Sequence, residues 1–182
     1  MNIQIISSSI REERKSHWVA LFIQQWIREN TSHEASILDL RELNFPLFEE
    51  RYKIQDNPSE QVTQFRNDVN DAEAIFMVVP EYNGSFPASL KNVIDLLFEE
   101  WQNKPVSLAP VSGGIFAGMQ VTKDLVFTMY RIGAFVTKSR LHVGQVGQHF
   151  NEQGEVIGNH EIYDKSMQLC IRQLEKFASL NR

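Results

Sequence analysis

The chain alternates short runs of apolar, β-branched residues with longer segments whose apolar positions recur at helical spacing. Ile3-Gln4-Ile5-Ile6 reads as a strand that runs into the polar turn Ser7-Ser8-Ser9. Over residues 16–29, Trp18, Val19, Leu21, Phe22, Trp26 and Ile27 fall on one helical stripe. Residues 34–40 read as a second strand. Residues 41–57, with Pro46 and a closing Asn57-Pro58, read as irregular. Pro58-Ser59-Glu60 signals a helix start, with Val62, Phe65 and Val69 on one face. Residues 74–79 (AIFMVV) form a continuous apolar run, as expected of a strand covered on both faces in a parallel sheet. After Pro87, which suits a first helical turn, Leu90, Val93, Ile94, Leu97 and Phe98 mark another helix. Residues 105–111 read as the fourth strand, and 119–132 as a helix stopped by Gly133. A fifth strand begins at 134–136 and resumes around 141–146. Residues 151–155 form a turn, and 162–180 a final helix.

Five strands alternating with five helices predict an α/β fold, a doubly wound five-stranded parallel sheet with helices on both faces. With 182 residues and no repeat or linker, residues 1–182 read as a single domain. Ligands in this architecture bind beyond the carboxyl ends of the strands, near the point where strand order reverses. Three loops become candidates: residues 7–16, 80–86 and 112–118.

Composition narrows the chemistry. Hydrophobic residues make up 42% and charged residues 23%. A chain of this length buries a core without disulfides or a structural metal. The net charge of -5 argues against nucleic-acid binding through a general positive field. No apolar stretch approaches the roughly 18 residues of a membrane span. The N-terminus has no basic region ahead of a long apolar run, so no secretory signal is expected. A soluble cytoplasmic protein is the expectation. Cys170, the single cysteine, excludes an internal disulfide and a multi-cysteine metal site. It falls among Met167, Ile171 and Leu174 and reads as core, as do Trp18, Phe22 and Trp26. The five histidines are scattered without ligand spacing, so no metal is expected. Glu12-Glu13, Glu49-Glu50 and Glu99-Glu100 are adjacent pairs, which do not face each other on a helix or strand.

The first loop follows a strand and opens a helix, where free N–H groups and the helix dipole favour an anion. Serine hydroxyls with Arg11 and Arg14 add donors suited to phosphate. Neither the triphosphate-binding G-x-x-x-x-G-K-[ST] nor the dinucleotide G-x-G-x-x-G is present. The same residues also read as a solvated helix start with Ser16 as N-cap. The second loop, Pro80-Glu81-Tyr82-Asn83-Gly84-Ser85-Phe86-Pro87, can lay backbone amides along the edge of a flat heterocycle. It also reads as an ordinary turn around Asn-Gly. In the third loop, Ser112-Gly113-Gly114 lets backbone approach a ligand closely. Its N–H groups suit the pyrimidine edge of a flavin and negative charge there. Otherwise it is a flexible turn.

Together the three loops resemble the NADPH-dependent FMN reductase family, the flavodoxin-like NAD(P)H:flavin, quinone and azo-dye reductases. That family carries a G-S-x-R phosphate loop, a P-E-Y-N-G-S-x-P loop leading into L-K-N-x-I-D, and an S-G-G loop. The middle motif is complete here, continuing into Leu90-Lys91-Asn92-Val93-Ile94-Asp95. The resemblance runs from Ile3 to the strand near Ala134, and the last forty or so residues are less diagnostic.

The resemblance implies a flavodoxin-like fold, non-covalent FMN, and NADPH or NADH as co-substrate. By carry-over, Ser9, Arg11 and Ser16 hold the phosphate. Arg14 stands where many members have serine and either reaches the phosphate or supplies positive field. Pro80, Glu81, Tyr82, Asn83, Gly84 and Ser85 edge the ring. Ser112, Gly113 and Gly114 serve its pyrimidine side. Ser8 replaces the family's usual glycine, and a positive φ there would strain it. Hydride chemistry is carried by FMN, with no catalytic side chain assigned. The acceptor is expected to be a small molecule taken up in a ping-pong cycle. The family also implies a homodimer or homotetramer, with Phe98 and Trp101 as contacts. A flavodoxin-like electron carrier and a flavin-free interaction protein on the same fold are the alternatives.

Overall fold

β1 (Asn2–Ser7) lies between β2 (Glu34–Asp39) and β3 (Ala74–Pro80), and β4 (Pro105–Val111) and β5 (Phe135–Arg140) extend the sheet beyond β3. The computed structural model describes residues 1–180. All neighbouring strands are parallel and the order is β2-β1-β3-β4-β5, the doubly wound flavodoxin-like arrangement expected above. Strand order reverses between β1 and β3, so the loops after these two strands diverge and leave a crevice.

Alternation along the strands explains both layers. In β3, Ala74, Phe76 and Val78 turn toward one face, and Ile75, Met77 and Val79 toward the other. The first face packs on α1 (Ser16–Asn30) and α7 (Glu161–Ser179) through Val19, Ile23, Met167 and Leu174. The second packs on α3 (Glu60–Asp71), α4 (Ala88–Leu96) and α5 (Met119–Arg131) through Phe65, Leu90, Val93 and Leu125. Every residue of β3 and of β4 is buried, which is why β3 reads as an unbroken apolar run and β4 carries a single polar residue, Ser107.

Three local readings change. The stretch 41–57 contains one helical turn, α2 (Leu40–Leu43), and a 3-10 turn (Tyr52–Ile54). The α2 turn starts where the Asp39 carboxylate accepts from the Arg41 amide. The fifth strand has no gap at 137–140. Its pairing with β4 shifts between Val106 and Leu108, then continues through Leu141 and Val143, whose amides donate to Leu108 and Pro110 carbonyls at 3.0 and 2.9 Å. This edge strand alternates buried Thr137 with exposed Lys138, so its polar residues imitate a break. His149 ends a single helical turn, α6 (Val146–His149).

Trp101 does not face outward. It ends a 3-10 turn (Glu99–Trp101), is fully buried, and its indole N–H donates to the Ile94 carbonyl at 3.2 Å. Phe98 alone stays at the surface, with the Arg51 guanidinium 4.8 Å from its ring centre. Among the described residues no helix is long and apolar enough to cross a membrane, and no group of three or more His, Cys, Asp or Glu could hold a metal.

Candidate functional site

The loop after β1 leaves the sheet through three buried serines. Ser7 Oγ meets His17 Nδ1 at 3.0 Å. Ser8 donates twice to the Val78 carbonyl, from its amide at 3.2 Å and from Oγ at 2.8 Å. Its φ is not positive, so serine is unstrained at the position where the family has glycine. Ser9 Oγ meets the Tyr82 hydroxyl at 2.6 Å, joining the first loop to the second. The Arg11 guanidinium is exposed and lies 5.7 Å from the Tyr82 ring centre.

Arg14 is differently placed. Both of its terminal nitrogens bind the Asp39 carboxylate, Nη2 to Oδ2 at 2.6 Å, and Nη1 also donates to the Ser9 carbonyl at 3.1 Å. Burial pushes the Asp39 carboxyl up, but the Arg14 and Arg41 hydrogen bonds and the nearby positive charge outweigh it and hold the group below its ordinary value. His17, 3.6 Å from Asp39, is lowered, chiefly by burial.

The α1 helix begins one residue earlier than a Ser16 cap implies. Lys15 is the N-cap, no side chain caps the helix, and its first turn has no acidic residue. Of its first three amides, those of His17 and Trp18 donate to the Arg14 and Lys15 carbonyls at 3.0 and 3.2 Å, which leaves that of Ser16 for an outside anion.

The second loop is a two-residue hairpin. Tyr82 and Ser85 exchange backbone hydrogen bonds at 2.8 and 3.0 Å, and Asn83 and Gly84 between them have φ of 51° and 82°. Two successive positive φ values define the turn that Asn-Gly favours. The Glu81 carboxylate accepts from the amides of Gln120 and Val121 at 3.0 and 3.3 Å. It thereby caps α5, whose N-cap residue Gly118 has no side chain. A Cβ on Gly118 would stand 2.7 Å from that of Pro110, so the third loop can fold down on β4 only with glycine there.

In the third loop the Gly114 carbonyl accepts from Ser112 Oγ at 2.7 Å and from the Gln145 amide at 2.9 Å. Gly113 and Gly114 are exposed, and open space adjoins both α-carbons.

The three loops enclose a cleft of about 210 Å³. Ser9, Arg11, Arg14 and Ser16 line it from the first loop, Pro80, Glu81 and Tyr82 from the second, and Ser112 and Gly113 from the third. Asn83, Gly84, Ser85 and Gly114 do not line it. The first three form the hairpin beyond Tyr82, and Gly114 stands at the exposed rim. Glu13, Lys15, Val111 and Val146 line the cleft as well. Lys15 adds a cation to the anion-binding loop. No motif marks Val146, where the chain returns beside Ser112.

These donors fit FMN. The uncapped start of α1, the serine hydroxyls and Arg11 suit a phosphate. Open glycine backbone suits close approach by a planar ring edge, since no side chain stands in the way.

Comparison with known proteins agrees. A family model described as NADPH-dependent FMN reductase matches residues 1–148. An NAD(P)H-dependent FMN reductase of Saccharomyces cerevisiae is 28% identical over 127 residues, covering 62% of this chain and 66% of that protein, just under two thirds. A quinone reductase of Pseudomonas putida is 26% identical over 193 residues, covering 100% of this chain and 96% of the relative. Among solved structures, the flavoenzyme NAD(P)H:(acceptor) oxidoreductase FerB from Paracoccus denitrificans superposes with a TM-score of 0.75 at 17% identity, over 98% of this chain and 95% of that one. At that identity the likeness is one of fold.

Proposed function

Because the chain belongs to the NADPH-dependent FMN reductase family, we propose that it passes hydride from NADPH or NADH, by way of bound FMN, to a small acceptor in a ping-pong cycle. The family is one of oxidoreductases that pair FMN with NAD(P)H. The acceptor belongs to the flavins, quinones, azo compounds or similar electrophiles. The observation that carries this reading is the meeting of all three loops at one cleft beside the uncapped start of α1.

When bound, FMN supplies the group that takes hydride from the nicotinamide and returns it to the acceptor. The protein's own residues bind and orient. Ser9, Arg11, Ser16 and the free Ser16 amide at the start of α1 hold the phosphate. Tyr82 ties the second loop to the first through Ser9, so the ring edge and the phosphate are registered against each other. The amides of Gly113 and Gly114 donate to negative charge on the pyrimidine side. Glu81 keeps the third loop in place by holding α5.

Residues 1–182 act as one FMN-binding domain in the cytoplasm, assembled as a homodimer or homotetramer. Phe116, Met119, Phe127 and Tyr130 are exposed on the third loop and α5, and such an apolar cluster favours association.

Initial rates of NADPH oxidation, measured over a grid of NADPH and quinone concentrations, test the reading. Parallel double-reciprocal lines are expected. Intersecting lines would replace ping-pong with a ternary complex. Retained FMN without turnover would make the protein an electron carrier.

A further inference from the structure

Two arginines grip the carbonyls of the first loop. Arg14 Nη1 donates to the Ser9 carbonyl at 3.1 Å, and Arg41 Nη1 donates to those of Arg11 and Glu12 at 3.2 and 3.0 Å. Both arginines converge on Asp39. Arg14 binds its carboxylate with both terminal nitrogens, and the Arg41 amide donates to Oδ1 at 3.0 Å. Asp39 is the last residue of β2 and pairs in register with Ser7, the last residue of β1. The anchor therefore belongs to the sheet and not to the loop.

Peptide planarity gives this grip a consequence. No cis bonds are present, so each peptide N–H points opposite to the carbonyl in the same unit. Holding the carbonyls of Ser9, Arg11 and Glu12 turns the amides of Ile10, Glu12 and Glu13 away from the guanidinium groups. Among the described residues none of these three amides donates a hydrogen bond. Arg41 lies outside the cleft, while Ser9, Arg11, Glu13 and Arg14 line it, Arg14 with its guanidinium committed to Asp39 and the Ser9 carbonyl. Carbonyls facing the cleft would repel a phosphate, whereas a row of amides attracts one.

We infer that Arg14, Arg41 and Asp39 are positioning residues that hold the loop's carbonyls outward and its amides toward the phosphate, and that Arg14 itself does not touch the phosphate. The inference rests on the FMN reading of the cleft. It gives Arg14, which replaces the family's serine, a role through Ser9 and Asp39.

The test is fluorescence titration of the full-length protein with FMN and, separately, riboflavin, which lacks the phosphate. Wild type, Arg14→Ala, Asp39→Asn, Asp39→Glu and the double variant Arg14→Ala/Asp39→Asn are compared. Each of the first two substitutions is expected to weaken FMN about tenfold. Riboflavin affinity stays within about twofold of wild type. The double variant is no weaker than the poorer single one, because both act through one grip. Asp39→Glu, which keeps a carboxylate, recovers most of the loss. If Arg14→Ala does not fold by circular dichroism, Arg14→Lys is read instead, with an intermediate loss. Wild-type FMN affinity in Asp39→Asn, alongside a loss in Arg14→Ala, would place Arg14 on the phosphate and overturn the inference. Equal losses of FMN and riboflavin would overturn it too. A wild type that binds neither flavin would remove the FMN reading itself.

Discussion

Glu81 and Gln120 meet at 3.0 Å, carboxylate to backbone amide, and this contact spans the gap between the loop after β3 and the start of α5. The same oxygen accepts from Val121 at 3.3 Å. A carboxylate at a helix N-terminus satisfies orphan amides and complements the helix dipole. Glu81→Ala is expected to cost about 1 kcal/mol of stability. Hydrogen exchange should speed up at Gln120 and Val121. Unchanged exchange there would show that the contact holds nothing.

The hairpin turn makes a second, sharper demand. Gly84 has a φ of 82° with nothing near a prospective Cβ, so Gly84→Ala meets strain in the backbone and no clash. The expected loss is about 1 kcal/mol in urea unfolding. A neutral result would mean that the turn adopts another form.

His17 gives the protein a pH dependence. Burial is the largest cause of its lowered value, and Arg14 adds to it, while Asp39 and Glu42 pull the other way without prevailing. The folded state therefore binds fewer protons than the unfolded chain just below about pH 6.5, and stability falls as pH drops through that window. The urea midpoint of wild type should be lower at about pH 5 than at about pH 7.5. His17→Gln should narrow the difference. An unchanged difference would assign it to other groups, such as Asp39, which acts at lower pH.

Cys170 is buried in the core and does not line the cleft. Burial pushes its thiol up to about 11. A thiol reagent should label it only at the rate of unfolding. Fast labelling of the folded protein would contradict this placement.

The parts of the fold legible in the sequence are those with a local cause. AIFMVV announced β3 because both its faces are covered, and Asn83-Gly84 announced its turn because few other pairs accept two positive φ values. The misread parts depend on distant partners. Thr137 to Arg140 looked broken because an edge strand keeps one side wet. Trp101 looked like a subunit contact because nothing local shows the cavity beneath α4 that it fills. The Arg14–Asp39 pair was not legible, because Asp39, 25 residues away, is brought to Arg14 only by the pairing of β1 with β2.

Absorbance titration of the purified protein with FMN, followed by anaerobic NADPH and then a quinone, tests the central claim most directly. The account requires saturable binding, bleaching of the flavin band by NADPH, and its return when the quinone is added. A protein that takes up no FMN, or whose bound FMN stays coloured under NADPH, would contradict it.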